Sequence, residues 1–299
     1  MKTTKNNYFL KFSVIIILLV ITGLYALKTG SLSVTWSELI SGLFIEYNST
    51  VAIIYDLRIP RILVAIISGG ALSLSGLLFQ CILKNPMADP ALIGISGGAS
   101  LVSSIIMALF PSLLFLTPLF SSIGGILAYV LIYTLAWKGS LEPIRIILIG
   151  VAISAFFLGL ESVFGSMGNS SGVSLSVSGL TQLVWSDVNI LLVYVVIFII
   201  MSLFLAPICN IMMLEDGAIR GLGVDVDKAR VLISLIAVIL CSVVTSVIGV
   251  VSFLALIVPH MSKKIIGNDY KFLIPYTIIL GAFILLLADT LGRTIMPPM

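Results

Sequence analysis

Three arginines and one short charged stretch carry most of the chemistry open to this chain. Arg58 and Arg61 flank Ile59-Pro60, and Arg293 stands near the other end. A guanidinium grips a carboxylate through parallel N–H donors, so these three read as a docking point for an acidic partner. The plainer reading is a set of basic side chains that snorkel from apolar helices into a membrane interface. The charged stretch is Leu214-Glu215-Asp216-Gly217-Ala218-Ile219-Arg220-Gly221-Leu222-Gly223-Val224-Asp225-Val226-Asp227-Lys228-Ala229-Arg230. Asp216 can cap a short helix there and Gly221 can end it. A short amphipathic helix suits a soluble partner; a solvated loop is the alternative. A third stretch, Lys84-Asn85-Pro86-Met87-Ala88-Asp89-Pro90, has two prolines and an Asn-Pro step, which dictate a rigid turn. A plain interhelix loop is the other reading.

Other chemistry is missing. No G-x-x-x-x-G-K-[ST], H-E-x-x-H or G-x-S-x-G occurs, so the chain lacks a phosphate-cradling loop and the common hydrolase motifs. Cys81, Cys209 and Cys241 match no metal or redox spacing and read as small buried hydrophobes. His260 is the one histidine, and a lone histidine is rarely a metal site. Neither a cofactor nor a metal site is expected. No charged residue lies between Asp89 and Lys138. Ion-coupled carriers keep ionisable relays at mid-membrane. Here Glu161 and Asp289 are the carboxylates near a span interior, both close to helix ends. Energy for uphill movement is therefore expected from another chain. An ion-coupled secondary carrier is the rival class, and a non-transporting scaffold is a third.

The elements that must position these residues follow from composition. The chain has 299 residues, 60% hydrophobic and 10% charged, with a mean hydropathy of +1.24. A soluble domain carries about 25% charged residues. A soluble enzyme, a disordered chain and a nucleic-acid-binding domain are excluded. A membrane-spanning helix needs about 20 apolar residues, so about nine fit with little left over. The expected fold is all-α, one polytopic membrane domain over residues 1–299. Apolar runs lie near 9–27, 62–83, 91–110, 113–137, 144–164, 190–213, 231–250 and 272–291. Lys2, Lys5 and Lys11 precede the apolar stretch Phe12–Leu27 and no small-residue cleavage site follows, which predicts a retained first helix.

Short loops rich in Lys and Arg stay in the cytoplasm. With the N-terminus inside, only Lys28, Arg58, Arg61 and Arg293 fall outside. Arg230 and Lys263 then both lie inside, yet residues 231–262 are fewer than the roughly 40 that two full spans need. A full crossing at Val231–Val250 and a short return helix near Ser252–Met261 are expected, broken at Gly249. A broken helix survives in a membrane only where protein or an aqueous cavity covers its freed backbone. Small residues crowd the second and third helices as Ser68-Gly69-Gly70-Ala71, Ser73, Ser75-Gly76 and Gly94-Ile95-Ser96-Gly97-Gly98-Ala99-Ser100. They predict close helix packing, or a translocation wall, or both.

Arg58-Ile59-Pro60-Arg61, Gly69-Gly70-Ala71-Leu72, Gln80, Asn85-Pro86-Met87-Ala88-Asp89-Pro90 and Gly94-Ile95-Ser96-Gly97-Gly98-Ala99 follow in a telling order. Further on come Gly221-Leu222-Gly223, Phe253-Leu254-Ala255-Leu256-Ile257-Val258-Pro259-His260, Gly267-Asn268-Asp269-Tyr270, Pro275, Gly281-Ala282 and Ala288-Asp289-Thr290-Leu291-Gly292-Arg293. Over essentially its whole length the chain resembles the FecCD family of ABC importer permeases, which carry iron complexes and vitamin B12. The resemblance implies a ten-helix fold, of which this chain, stopping at Pro297-Pro298-Met299, is expected to hold about nine. Lys263 stands where the family has an arginine, which keeps the charge but not the fork.

The resemblance also implies a transport subunit without bond chemistry, working by alternating access in a bacterial plasma membrane. Its implied partners are a second permease subunit, two cytoplasmic ATPase subunits and an extracytoplasmic substrate-binding lipoprotein. The implied cargo is an iron complex, a ferric siderophore first, then haem or cobalamin. Iron would travel inside its chelator, so no protein ligands are required. By this match Arg58, Arg61 and Arg293 receive the binding protein. Glu215, Asp216, Ala218, Arg220, Gly221, Leu222, Gly223 and Asp225 sit in the ATPase groove. Gly69, Gly70, Gln80, Asn85, Pro86, Gly94, Ser96, Gly97 and Gly98 line the pathway or pack its helices. His260 is expected to be structural, hydrogen-bonded between helices. The stretch Gly179-Leu180-Thr181 to Trp185-Ser186-Asp187-Val188, with Pro297-Pro298, is similar to haem-iron permeases.

Overall fold

Lipid gives apolar helices no hydrophobic reason to meet, so small residues and hydroxyl groups must join them. The computed structural model describes residues 2–29, 54–136, 143–168, 179–180 and 183–295, and among these the regular structure is helical. α1 spans Lys2–Lys28 and α2 Ile59–Ile82, entered through a π-turn at Ile54–Arg58. Pro60 stands in the first turn of α2, where its missing N–H costs no hydrogen bond. α3 is Ile95–Leu109, and a 3-10 turn at Pro111–Leu116 leads into α4, Thr117–Ala136. α5 is Pro143–Gly168, α6 Trp185–Phe204, α7 Ala206–Met212 and α8 Asp216–Gly221. α9 is Val226–Ile248, α10 Leu254–Ile266 and α11 Tyr270–Ile295.

Seven of the described helices are long and apolar enough to cross a membrane, and α3 is a shorter apolar helix; α10 stands at the place of the expected short return helix. α9 runs to Ile248, and Gly249, at φ 77°, ends it as predicted. The return helix begins two residues later and runs five further than expected. Phe253 in the left-handed region starts it, Lys263 and Lys264 suit its C-terminal dipole, and Gly267 at φ 92° stops it. Its 13 residues reach about 20 Å, less than the hydrocarbon thickness. α3, with 15, is also short, because the turn around Pro90 delays its start to Ile95. The run 190–213 is two helices, divided where Pro207 opens α7.

α2 is the central helix. Burial covers 83% of its most apolar window, against 11% for α5. It packs on α11, α9, α10 and α6, while α3 is held by α4, α5 and α9. α2 and α11 meet backbone to backbone, since a Cβ on Gly69 would collide with the Gly281 carbonyl. Gly76 sits equally tightly on the Ala255 carbonyl at the start of α10. Hydroxyl groups add the polar joints: Ser75 Oγ donates to Ala237 O (2.6 Å) and Ser121 Oγ to Ser242 O (2.9 Å).

Candidate functional site

The two ends of the bundle carry the chemistry. The side where α1 begins is called the near side, the opposite one the far side. On the far side α2 starts with Arg58 as its N-cap residue, 6% exposed, and Arg58 Nη1 donates to Leu27 O at 2.9 Å. This closes the C-terminal turn of α1. One turn on, Arg61 grips Asp289 of α11 in a fork, with Nη2 to Oδ1 at 2.6 Å and Nε to Oδ1 and Oδ2 at 3.1 Å. Arg293, one turn beyond Asp289, places Nε 3.2 Å from its Oδ2. One carboxylate, 4% exposed, thus serves two guanidinium groups. Arg293 Nη2 is buried and finds no hydrogen-bond acceptor among the described residues. Asp289 is a partner of the arginines, not a mid-membrane relay. The signal was its spacing of four from Arg293, a pairing of neighbours on one helix face. Trp185 Nε1 donates to Tyr55 O at 3.0 Å, and the two rings pack 5.2 Å apart near α2's far-side start.

On the near side the charged stretch folds as α8, held by fully buried Ile219. Glu215, not Asp216, takes the N-cap position; Asp216 lies in the first turn, where its charge favours the helix dipole. Gly221 is the last helical residue. Leu222 keeps a right-handed backbone, so the reversal falls on Gly223 at φ 78°. Met213, Leu214, Gly217, Ala218, Arg220, Gly221 and Leu222 face outward, with Leu222 62% exposed. Asp225 caps α9 by accepting the Asp227 and Lys228 N–H groups at 3.2 Å.

Asp216 accepts Lys84 Nζ at 2.9 Å and Arg230 Nη2 at 3.0 and 2.9 Å. The Lys84 ammonium, then Arg230, hold its carboxyl below the ordinary value of 3.8; the Lys228 N–H and ammonium do the same for Asp225. A depressed carboxylate adds stability above its unfolded value and loses it as pH falls through the lower folded value. Both groups should therefore leave the melting temperature unaffected from about pH 8 to pH 5 and reduce it only below about pH 4. Thermal unfolding of the protein and of Asp216→Asn across pH checks this. A fall between pH 7 and 5 that the substitution removes would contradict it.

The residues between the ends are engaged in packing. A Cβ on Gly98 would meet the Ala128 Cβ at 2.6 Å and the Gly124 carbonyl at 2.8 Å. Gly70 abuts Ile278, Gly97 abuts Phe157 and Ser96 Oγ lies 3.1 Å from Cys241 Sγ. Gly94, at φ 99°, makes the left-handed turn into α3 that a side chain would oppose. Gln80 is 3% exposed; its Oε1 accepts Lys263 Nζ at 2.9 Å and its Nε2 donates to Leu256 O at 3.2 Å. The single ammonium at 263 thus pins α10 to α2. Asn85 Oδ1 accepts the Met87 N–H at 2.9 Å, and Pro86 is exposed beside it. Glu161 accepts Ser100 Oγ (3.0 Å) and Ser104 Oγ (2.8 Å), fastening α5 to α3. His260 corrects an expectation: it is exposed on α10 and makes no hydrogen bond to another helix among the described residues, because it stands on the outward face beside buried Pro259. Among the described residues no three His, Cys, Asp or Glu side chains gather as metal ligands. Thr181 and Pro297-Pro298 lie outside the described residues.

The described residues thus form a helical membrane bundle with two short helices, a basic cluster at one end and an exposed charged helix at the other. The chain belongs to the FecCD transport family, whose model matches residues 18–299. It is 36% identical over 295 residues, 99% of this chain and 90% of the relative, to a Staphylococcus aureus protein named as a probable heme-iron transport system permease, IsdF. Its fold matches a chain of an inward-facing metal-chelate type ABC transporter with TM-score 0.79 and 25% identity, covering 97% of this chain and 91% of that one. PsaBC from Streptococcus pneumoniae shares the fold at TM-score 0.59 and 16% identity, over 87% of each chain. The protein is a multi-pass permease subunit of an ABC importer.

Proposed function

We propose that the chain imports an iron complex, with haem ahead of ferric siderophores. The observation that carries the cargo is the 36% identity, over nearly the whole chain, to a permease named for heme-iron. The sequence by itself ranks siderophores first; this relative reverses that order. The near side is cytoplasmic, as the Lys and Arg distribution argues. The exposed face of α8, with Glu215, Asp216, Ala218, Arg220, Gly221, Leu222, Gly223 and Asp225 on or beside it, seats a separate ATPase subunit. On the far side Arg58, Arg61 and Arg293 receive carboxylates of an extracytoplasmic binding protein, and the sharing of the single Asp289 carboxylate by two guanidinium groups supports this role. The thinly covered α5 faces lipid or a second permease subunit, with Gly94, Gly97 and Gly98 of α3 behind it. Closure of the ATPases then moves the helices as rigid bodies between outward- and inward-open states.

The test is uptake of labelled haem and labelled ferric siderophore, in parallel, by bacteria whose own permease is deleted and replaced by this chain. ATP-dependent accumulation of haem is the expected result. Accumulation of the siderophore alone would restore the first ranking. Accumulation of neither, with the protein present in the membrane, would refute the iron reading.

A further inference from the structure

Among the described residues, Lys84 and Phe253 are the two non-glycine residues with left-handed backbone, at φ 48° and 68°. Such conformations persist only where their surroundings hold them, and they gather at switch regions. These two stand at opposite ends of one connected piece. Lys84 leaves the near-side end of α2, where Nζ is held by Asp216 at 2.9 Å and by the Leu214 carbonyl at 2.5 Å. Phe253 starts α10 with its side chain exposed, and its N–H faces the carboxyl group of buried Asp89.

Residues 84–94 join the two points and have little freedom to bend. Pro86 and Pro90 fix two φ angles. Successive backbone bonds close the turns between them: Ala88 N–H to Asn85 O at 3.2 Å, Ile93 N–H to Asp89 O at 2.9 Å, Ile95 N–H to Pro90 O at 3.1 Å. The far end lies deep. Ser96, in the first turn of α3, touches Cys241, which is 15 residues (241 minus 226) into α9 and so about 22 Å from its near-side start. Asp89 is fully buried and accepts the Ala91 N–H at 2.7 Å; among the described residues its Oδ2 completes no hydrogen bond, although the Leu92 and Phe253 N–H groups approach the carboxyl.

A passive loop has no use for a buried carboxylate. Nor does stability explain the outer anchor, because the Lys84–Asp216 pair is 36% and 42% exposed and such pairs contribute little. We propose that residues 84–94 form a rigid strut that carries movement of α8 to the starts of α3 and α10, with Lys84 at its outer end and Asp89 at its middle, where it meets α10, as positioning residues. This rests on the reading of α8 as the ATPase seat. It names the route by which motion at that seat reaches the short helices inside the membrane.

The test uses the whole transporter, permease with its ATPase, and does not depend on cargo. The three native cysteines are buried, so spin labels attach selectively at Leu109→Cys and Met261→Cys, exposed positions on α3 and α10. Trapping the ATPase with ATP and vanadate should shift the label distance in the otherwise native complex. Lys84→Met and Asp89→Asn should still bind the ATPase and trap nucleotide, yet lose the shift. Lys84→Arg should restore it. Lys84→Gly, which tolerates the backbone but lacks the ammonium, should not. An unchanged shift in Lys84→Met, or no shift in the native complex with nucleotide trapped, overturns the strut. A native chain that captures no ATPase overturns the docking reading instead.

Discussion

Arg61→Glu should abolish docking of the binding protein and lower the stability of the bundle by about 3 kcal/mol. Two losses add. The bidentate grip on Asp289 disappears, and a second carboxylate is placed against a side chain that is 4% exposed. Breaking a buried pair by removing one partner costs about 3–5 kcal/mol. Arg293 still faces Asp289, and Arg61 is 17% exposed, so the lower end of that range applies. Docking suffers more, because the new charge repels the carboxylates that the cluster is proposed to receive. Pull-down with the binding protein at low salt and thermal unfolding in detergent measure the two effects separately. Asp289→Asn is the control. It removes the same ion pair but frees both guanidinium groups, so it should destabilise while retaining docking. Retained low-salt binding by Arg61→Glu would refute the docking assignment.

Gly76→Val should leave almost no correctly folded protein. Even the first added carbon lands on the Ala255 carbonyl oxygen, a backbone atom in the first turn of α10, so α10 itself must move. Overpacking a well-filled core costs about 1–3 kcal/mol where side chains can yield, and more where only backbone is available. Displacing α10 would also disturb its joints at Gln80 with Leu256 and Lys263. Gly159→Ala on α5 meets nothing within 4 Å and should be neutral. Thermal unfolding and the yield of monodisperse protein compare the two. Equal behaviour would show that α10 is loosely seated.

Much of this protein is local and therefore readable along the chain. Apolar runs of membrane length, the break at Gly249, the charged helix Asp216–Gly221 and the three arginines all follow from composition, spacing and the lysine and arginine distribution. Glycine and serine in α2 and α3 announced tight crossings. They could not say which helix lies opposite, because nearly every residue of such a helix is apolar and lipid leaves no polar face to orient it.

What the tertiary structure alone decided is pairing at a distance. Asp289 read as an isolated carboxylate until the fold brought Arg61, 228 residues away, into its fork. Lys84 read as part of a loop until it met Asp216, 132 residues away. His260 turned outward because Pro259 takes the buried side of α10. Gly76 was one small residue among many until the Ala255 carbonyl came against it. Helix formation is fixed by hydrogen bonds within four residues, and the sequence displays those distances directly. Helix pairing is fixed by van der Waals fit and a few polar bonds between distant segments, and these exist only once the bundle has closed.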